Sequence, residues 1–395
     1  FAGRTGLAGD LGRLAGGPLA ALFNEEPAAV IQVAAADAAP ILGQCREAGL
    51  AATDLGVVAA DRRIRIHGNG DWLLDEDRID LHRAWSETSY RLKALRDDPD
   101  CAREEYDALL DADDPGLPAA PGFDPAEDPA APFLNLTRPR VAILREQGVN
   151  GHLEMAWAFH AAGFEAVDVH MSELLAGSAL LRDFQGLAAC GGFSYGDVLG
   201  AGRGWAGTIL NNPALREAFA AFFADERNFA LGVCNGCQML SHLADLIPGT
   251  DDWPTFLENR SAQFEARTVA VEVLPSRSVL LDGMAGARVP IAVAHGEGRV
   301  VYADDAAAQR LTAAGQLSLR YVDNAGGPAA RYPANPNGSP GGATGFCNVD
   351  GRVLILMPHP ERVTRTITQA WRPAAWSGER APWARLFANA RRFSG

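Results

Sequence analysis

The sequence predicts an α/β protein whose larger part is a doubly wound, mostly parallel sheet, preceded by a small α+β region. Strand and helix patterns alternate from residue 140 onward, and repeated βα units are typical of parallel sheets. Apolar residues make up 48% of the 395 residues and charged residues 21%, the balance of a folded globular protein. Ligands bind such sheets at the carboxyl ends of the strands, so residues that follow a predicted strand are the first candidates for a site.

Hydrophobic periodicity assigns the elements of this larger part, residues 140–395. The predicted strands cover residues 141–144, 165–170, 187–190 and 229–233, followed by a strand-rich region beyond residue 253 and a last strand at 352–357. The predicted helices cover residues 152–162, 171–184, 214–224 and 236–246.

Residues 1–80 are interpreted as a small α+β region. Apolar runs at 29–34 and 55–59 and an alternating segment at 62–67 predict strands, and residues 38–48 predict a helix. The opening is glycine-rich and contains no strong first element. We interpret this region as the tail of a larger domain.

Residues 81–139 form the predicted link between these two parts. Residues 81–110 have a helical pattern with Trp85, Leu92 and Leu95 spaced for one face. Seven prolines interleaved with acidic residues follow between Pro115 and Pro139. Because proline lacks an N–H and disfavours helix, this segment is predicted to be an extended connector.

Charge and cysteine content exclude several classes of protein. The 35 basic and 49 acidic residues give a net charge of −14, which argues against a nucleic-acid partner. No apolar run approaches the roughly 18 residues of a membrane helix. The six cysteines are too sparse for a disulfide framework, so we expect a cytoplasmic location. The first residue is Phe1 and not Met, and we interpret the chain as part of a longer protein.

Cys234 is the predicted nucleophile. It follows the strand 229–233 directly, and Gly236 permits a tight turn into the next helix. A helix N-terminus also favours the thiolate, which is the form that attacks.

The spacing of Cys234 and Cys237 also fits a redox pair or half of a zinc site. A zinc site needs a second ligand pair at short spacing, which the sequence does not contain. A redox pair normally lies in the first βαβ unit of a thioredoxin-like domain. A buried structural role for Cys234 stays open at this point, and inert packing is expected for Cys237.

His359 is the predicted acid–base partner, because a thiolate that attacks an amide needs a group to move the proton. It follows the last strand between Pro358 and Pro360, which make a helix there unfavourable. Glu361, two residues further on, is placed to orient the imidazole. Taken alone, such a histidine is more often a surface or capping residue.

Two further segments are candidates for substrate contacts. Residues 190–197 (CGGFSYGD) follow a strand, and their glycines allow backbone N–H groups to face a ligand. An ordinary glycine-rich turn is the alternative. Residues 295–299 (HGEGR) are equally well explained as a turn or as a substrate-contacting loop.

The segments GVCNGCQ, CGGFSYGD and MPHPER together resemble the glutaminase domain of class I, triad-type glutamine amidotransferases, whose sheet is flavodoxin-like. The further segments REQGVN, QFEAR, AHGEGR, YPANPNGS and APWARLFANAR are similar to the large single-chain phosphoribosylformylglycinamidine synthases. Residues 22–33 (LFNEEPAAVIQV) resemble more loosely the end of that family's second synthetase-like domain.

The resemblance implies a role for each matching residue. Cys234 would be the nucleophile, His359 the acid and base, and Glu361 its orienter. The backbone N–H groups of Gly192 and Asn235 would form the oxyanion hole. Substrate contacts would come from Gln238, Phe193, Ser194, His295, Gly296 and Glu297.

It also implies a partner and a pathway for the ammonia. The domain would hydrolyse glutamine and pass ammonia internally to upstream synthetase domains related to AIR synthase, for purine biosynthesis. ATP and Mg²⁺ would bind in those domains, and this portion would carry no cofactor or metal. Two alternatives stay open: a Cys-His-Glu hydrolase of another amide or γ-glutamyl substrate, and a catalytically silent assembly module.

Overall fold

A computed structural model describes the chain at residues 1, 3–14, 16–304 and 306–395. These residues divide into two units. Unit 1 comprises residues 1–95 and 105–112, and unit 2 comprises residues 96–104 and 113–395. The boundaries predicted at residues 80 and 139 stay predictions.

Unit 1 contains a four-stranded sheet and three helices. The strands are β1 (Gly6–Asp10), β2 (Gly56–Ala59), β3 (Arg63–Gly68) and β4 (Asp71–Asp77), in the order β2-β1-β3-β4. The helices are α1 (Gly17–Phe23), α2 (Ala35–Glu47) and α3 (Arg78–Arg96), and α4 (Pro99–Asp107) follows where the chain passes between the units. The predicted strands at 55–59 and 62–67 and the predicted helix at 38–48 are confirmed.

Two expectations for unit 1 were wrong. The glycine-rich opening forms β1, which pairs with both β2 and β3. The apolar run at 29–34 forms no strand, and Val30 and Ile31 are exposed. A strand is stabilised by ladder hydrogen bonds to a neighbour, and hydrophobicity alone does not supply them.

Unit 2 is built on a nine-stranded sheet. The strands of unit 2 are β5 (Arg140–Arg145), β6 (Glu165–His170), β7 (Gly186–Ala189), β8 (Phe229–Val233), β9 (Thr255–Leu257), β10 (Glu265–Val273), β11 (Arg288–His295), β12 (Arg299–Val301), β13 (Leu317–Val322), β14 (Ala343–Cys347) and β15 (Val353–Leu356). The short strands β9 and β12 pair with each other outside the nine-stranded sheet of unit 2. Its helices are α5 (His152–Ala161), α6 (Met171–Ala176), α7 (Arg203–Leu210), α8 (Pro213–Ala224), α9 (Asn235–His242), α10 (Ala307–Ala313) and α11 (Ala384–Phe393).

The order of the large sheet is β11-β10-β13-β14-β15-β8-β7-β5-β6. The five strands from β15 to β6 are parallel and follow the flavodoxin-like order, and the other four extend the sheet in antiparallel pairing. The α/β prediction is therefore confirmed. Because β7, β8 and β15 are neighbours, the segments that follow them meet at one edge.

The inner parallel strands β7, β8 and β15 are buried on both faces, as expected where helices cover both sides of a sheet, whereas the edge strand β6 is largely exposed or half-buried. All residues of β7, β8 and β15 are buried. Phe159 of α5 packs edge-on against Phe164 and Phe387, with ring centroids 5.3 and 5.0 Å away. The rings of Phe159 and Phe164 also lie 5.9 and 5.7 Å from that of Phe229, the first residue of β8.

Two helix predictions for unit 2 require correction. The helix predicted at 171–184 ends at Ala176, because Gly177 adopts a left-handed conformation (φ 71°) and caps it. Helices α7, α10 and α11 were not predicted. The helix predicted at 236–246 begins at Asn235 and ends at His242, followed by a separate 3₁₀ turn.

The proline-rich segment lies along unit 2 and contains one 3₁₀ turn, Ala131–Phe133. Arg380 and Arg385 form ion pairs of 2.9 and 2.8 Å with Asp128 and Glu127. Arg391 of α11 donates to the backbone oxygen of Phe133 at 2.8 Å. The C-terminal segment therefore binds this connector. In the part of the chain that the structure describes, no helix has both the length and the apolarity needed to cross a bilayer.

Candidate active site

Cys234 occupies the sharp turn between β8 and α9. Its backbone angles, φ 52° and ψ −110°, are rarely adopted by a residue that carries a side chain. Its N–H donates to the oxygen of Leu356 in β15 at 2.9 Å, and its own oxygen accepts from the N–H of Gln238 at 3.0 Å. Such strain persists only where the surrounding structure fixes it, and it is typical of nucleophiles at a strand-to-helix turn.

Gly236 allows α9 to begin this close to the sheet. A Cβ at this position would lie 2.0 Å from the backbone oxygen of Ala189, at the end of β7. No side chain fits in that space. The turn that carries Cys234 therefore depends on the glycine two residues later.

His359 and Glu361 form a buried pair behind Cys234. The N–H of His359 donates to the oxygen of Ala292 at 2.8 Å, which fixes the backbone after β15. Nδ1 of His359 lies 2.6 Å from Oε1 of Glu361. Their exposed fractions are 1% and 2%.

The charge of this pair favours a protonated imidazole. Burial alone would lower the pKa of His359, but the Glu361 carboxylate and the Cys234 side chain raise it to about 10. Because Nδ1–H donates to Glu361, Nε2 is the nitrogen that serves Cys234. Apart from Cys234, whose side chain helps to raise this pKa, Nε2 has no hydrogen-bond partner among the described residues.

Gly191 brings the three strand-end segments into contact. A Cβ at this position would lie 2.7 Å from Cε1 of His359 and 3.3 Å from Cβ of Cys234. The glycine-rich loop after β7 therefore packs directly on the nucleophile and its partner. The three segments share one edge of the sheet.

Two backbone N–H groups beside Cys234 are available to a ligand. The N–H of Asn235 is the first of α9 and has no acceptor inside the helix. The N–H of Gly192 has no acceptor among the described residues, although its neighbours pair with residues 148–150. Donors of this kind stabilise an oxyanion when they point at the same atom.

The side chains of Asn235 and Gln238 connect the loops around the nucleophile. Asn235 accepts from the N–H of Ser194 at 3.0 Å and donates to Asp197 at 2.9 Å and to Gln238 at 3.0 Å. Gln238 in turn donates to the backbone oxygen of Glu297 at 2.6 Å. This chain of hydrogen bonds fixes the loop after β7 relative to the loop after β11.

A cavity of about 200 Å³ opens beside Cys234. Pockets for drug-sized ligands measure roughly 300 to 1,000 Å³, so this one suits a small metabolite. It is lined by Gly192, Phe193, Asp197, Cys234, Gln238, His295, Gly296 and Glu297. A larger cavity of about 580 Å³ lies between residues 274–285 and α11 and contains none of these residues.

His295 reaches the cavity as a neutral group. Burial, and after it the charge of His359, lower the pKa of His295 to about 3. Its Nδ1 lies 3.1 Å from Oδ1 of Asn259, which also accepts from the N–H of Gly298 at 2.9 Å. His295 is thus held by its neighbours and carries no charge at neutral pH.

The predicted site residues fall into two groups, those that line the cavity and those buried around it. Seven of them line the cavity: Gly192, Phe193, Cys234, Gln238, His295, Gly296 and Glu297. Ser194, Asn235, His359 and Glu361 are buried around it and do not line it. Cys237 is buried, and burial raises its thiol pKa well above the usual range, as expected for an inert residue.

Two residues of the site were not predicted. Asp197 lines the cavity, and it is the last residue of the segment CGGFSYGD, so its position in that segment was the available signal. Asn259 holds His295 from the segment between β9 and β10. No motif marks Asn259, and only the fold brings it to His295.

Comparisons with known proteins bear on this site. The profile of CobB/CobQ-like glutamine amidotransferase domains matches residues 138–394. The chain is similar to PurLQS from Thermotoga maritima, with 27% identity over 64% of this chain and 97% of that chain, at a TM-score of 0.48. It is also similar to a protein from Thermoplasma acidophilum that is described as a GMP synthase subunit, with 11% identity over 66% of this chain and 96% of that chain, at a TM-score of 0.38.

A glutamine amidotransferase from Thermotoga maritima is a further similar structure, with 16% identity over 57% of this chain and 77% of that chain, at a TM-score of 0.33. The match to the family profile covers more than half of the chain, including every residue of the candidate site. This chain therefore belongs to the family of CobB/CobQ-like glutamine amidotransferase domains.

Proposed function

We propose that this chain hydrolyses glutamine through a thioester on Cys234 and supplies the released ammonia to a synthetase. The observation that carries the proposal is the strained turn at Cys234 beside the buried pair of His359 and Glu361. A thiolate next to an imidazolium is the activated form of a cysteine nucleophile. The raised pKa of His359 supports the imidazolium at neutral pH.

In the first half-reaction, the thiolate of Cys234 attacks the carboxamide carbon, and a carbon–sulfur bond forms. The N–H groups of Gly192 and Asn235 stabilise the oxyanion of the tetrahedral intermediate. Nε2 of His359 then donates its proton to the departing nitrogen, the carbon–nitrogen bond breaks, and ammonia leaves.

In the second half-reaction, water attacks the glutamyl thioester. His359, now neutral, accepts a proton from the water, and the carbon–sulfur bond breaks to release glutamate and the thiolate. Glu361 keeps the imidazole in the correct orientation throughout and transfers no proton. The substrate would be held by Phe193, Ser194, Gln238, His295, Gly296 and Glu297.

The specific reaction is proposed from the sequence motifs. The segments REQGVN, QFEAR, AHGEGR and YPANPNGS resemble large phosphoribosylformylglycinamidine synthases, in which ammonia from the glutaminase converts formylglycinamide ribonucleotide to formylglycinamidine ribonucleotide. The partner would be the upstream synthetase domains of the same enzyme, which would bind ATP and Mg²⁺. Residues 1–80 would be the end of such a domain and residues 81–139 the link to the glutaminase domain.

The test is glutamate release from glutamine by the wild-type chain and by Cys234→Ala. We expect hydrolysis by the wild type and its loss, by at least about 1,000-fold, in the variant, because no other thiol replaces the nucleophile. Hydrolysis retained by a folded Cys234→Ala would contradict the mechanism. Stimulation by separately supplied upstream domains, ATP and formylglycinamide ribonucleotide would support the specific reaction. No hydrolysis of glutamine under either condition by correctly folded protein would favour a hydrolase of another amide or a catalytically silent assembly module.

A further inference from the structure

The larger cavity, of about 580 Å³, lies at a distance from Cys234. Its walls include Leu274, which directly follows β10. The other end of β10 begins at Glu265, which pairs with His295 of the candidate site. At about 3.4 Å per residue, this nine-residue strand separates the two cavities by roughly 27 Å. A ligand in the larger cavity therefore does not contact the glutaminase residues.

Hydrogen bonds fix the walls of this cavity. Asn389 of α11 donates through Nδ2 to the backbone oxygens of Leu280 and Asp282, at 3.0 and 2.8 Å. The N–H of Arg277 donates to the oxygen of Gly315, in the turn before β13, at 3.1 Å. Residues 274–285 are thus attached to both α11 and that turn. The cavity is formed before a ligand enters, which lowers the entropic cost of binding.

The charged side chains that line the cavity leave a positive excess. Two of them are cationic, Arg277 and Arg392, and one is anionic, Asp282. Arg392 and Asp282 form an ion pair with each other. Arg277 has no carboxylate partner among the described residues, and its Nε donates to the backbone oxygen of Ala314 at 3.0 Å. Its two terminal nitrogens are left for a ligand, and such a guanidinium fork binds carboxylate or phosphate groups.

Two buried polar atoms belong to residues of the same wall. Oγ of Ser278 and Oδ1 of Asn389 have no hydrogen-bond partner among the described residues. The two residues are 3% and 1% exposed. Buried polar groups in folded proteins are hydrogen-bonded with few exceptions, and a ligand is one source of a partner. Because an amide oxygen only accepts, the ligand indicated here has a hydrogen-bond donor as well as an anionic group.

The rest of the wall is apolar and includes one aromatic ring. Leu274, Val279, Leu281 and Phe393 line this part of the cavity. Aromatic groups pack well against such surfaces, and guanidinium groups also stack on rings. The volume lies within the roughly 300 to 1,000 Å³ of pockets that hold drug-sized ligands. The cavity therefore suits an organic anion that carries a ring and is larger than a bare inorganic ion requires.

We propose that this cavity binds a phosphate monoester that carries an aromatic ring, which is the chemistry of a nucleoside monophosphate. The phosphate binds Arg277, and the hydroxyls of Ser276 and Ser278 supply further donors, because three terminal oxygens take more donors than a carboxylate does. The ring lies on the apolar wall beside Phe393, and an amino group on it donates to Asn389. This inference does not depend on the proposed glutaminase function.

The first test is calorimetry on the wild-type chain with AMP, phenyl phosphate, adenosine and inorganic phosphate. We expect AMP to bind at one site per chain. The Kd should be at least about 10-fold higher for adenosine, which lacks the charge, and for inorganic phosphate, which lacks the ring. Phenyl phosphate as tight as AMP would support any aromatic phosphate as the ligand, and weaker binding would support a nucleotide. Binding of neither, or equal binding of adenosine and AMP, would overturn the proposal.

The second test locates the bound nucleotide. Arg277→Gln removes the unpaired cation, and Ala285→Phe places a ring at an exposed position of the wall. We expect each to raise the Kd for AMP at least about 10-fold, with the fold checked by circular dichroism. Arg216→Gln is the matched control, because Arg216 is exposed on α8 and has no ion-pair partner among the described residues. An unchanged Kd for AMP in both cavity variants would overturn the proposal.

The third test separates this cavity from the one beside Cys234. In Cys234→Ala, saturating glutamine should leave the Kd for AMP within about 2-fold, because β10 lies between the two cavities. Loss of AMP binding in the presence of glutamine would place the nucleotide beside residue 234 and overturn the proposal. A chain that hydrolyses no glutamine would contradict the proposed function and leave the comparison of AMP with adenosine as a complete test of this site.

Discussion

Unit 1 and unit 2 use apolar residues differently. In unit 2, β7, β8 and β15 are buried along their whole length, and the buried ring of Phe159 packs edge-on against those of Phe164 and Phe387. Within the described residues of unit 1, large apolar side chains are buried only at Leu11 and Ile79.

The exposed apolar residues of unit 1 include the helical face that the sequence predicted. Trp85, Leu92 and Leu95 have exposed fractions of 73%, 63% and 87%. A catalytic constellation must be held within fractions of an ångström, and only a densely packed scaffold does so. The candidate site accordingly lies in unit 2, the unit with the densely packed interior.

Removal of an aromatic ring from the core of unit 2 should cause the largest loss of stability. Phe159→Ala should lower the free energy of unfolding of unit 2 by about 3–5 kcal/mol, because the ring is fully buried and leaves a cavity. Phe23→Ala is the matched control in unit 1, where the ring is 76% exposed and the expected change is within about 0.5 kcal/mol. Denaturant unfolding measures both, and equal losses would contradict the difference between the units.

A substitution at Gly191, beside the candidate catalytic residues, should have the next largest effect. Gly191→Ala places a Cβ where only 2.7 Å separates it from Cε1 of His359, so the imidazole must move. We expect kcat for glutamine hydrolysis to fall about 100-fold, because displacement of a catalytic group by about 1 Å has effects of that size. Gly378→Ala is the control, since a Cβ there meets nothing within 4 Å. Full activity of Gly191→Ala would mean that His359 does not act on Cys234.

A smaller effect is expected when the buried negative charge of Glu361 is removed. Glu361→Gln keeps an acceptor for Nδ1 of His359 but removes the carboxylate that raises its pKa. We expect the pKa of His359, measured by NMR titration in a Cys234→Ala background, to fall by at least about one unit, worth about 1.4 kcal/mol. An unchanged value would exclude Glu361 as the source of the shift.

The same pair predicts the direction of a pH effect on stability. The pKa of His359 rises from 6.5 to about 10 in the folded protein, so its stabilising contribution is complete below pH 6.5 and is lost as pH rises through 10. The variant Glu361→Gln should lose less stability over this range than the protein with Glu361. Urea unfolding at a series of pH values compares the two.

The smallest effect is expected in unit 1. Leu11→Ala should cost about 1 kcal/mol, less than is typical for a core leucine, because its few neighbours can relax into the space. Leu95→Ala, at an exposed position on α3, is the control and should change stability by no more than about 0.5 kcal/mol. A cost for Leu11→Ala as large as that for Phe159→Ala would remove the distinction between the units.

The sequence predicted the elements whose pattern is dictated by burial. Strand β8 was predicted with its observed limits, because a short, continuous apolar run is typical of a strand covered on both faces. The run at 29–34 has a similar composition but no neighbouring strand to pair with, and pairing is invisible in a local pattern. Helix α7 follows a loop in which Tyr195, Asp197 and Ala201 have positive φ, and a local hydrophobic pattern does not predict such a backbone.

The same distinction applies to the site. Cys234 follows β8 directly and His359 lies three residues after β15, so topology alone predicts that they share an edge. Asn259 follows no strand of the large sheet and reaches His295 only through the fold. Asp197 enters the cavity because Tyr195, Gly196 and Asp197 all have positive φ, and no periodicity reports that conformation.

The backbone at Cys234 separates what is best for stability from what is needed for chemistry. At φ 52° and ψ −110°, glycine is the residue that this turn accepts at least cost, and a side chain there costs on the order of 1–3 kcal/mol. A sequence optimised for folding alone would therefore place glycine at this position. The residue at this position is instead a cysteine. The free energy lost at residue 234 therefore measures how much stability has been given up for reactivity.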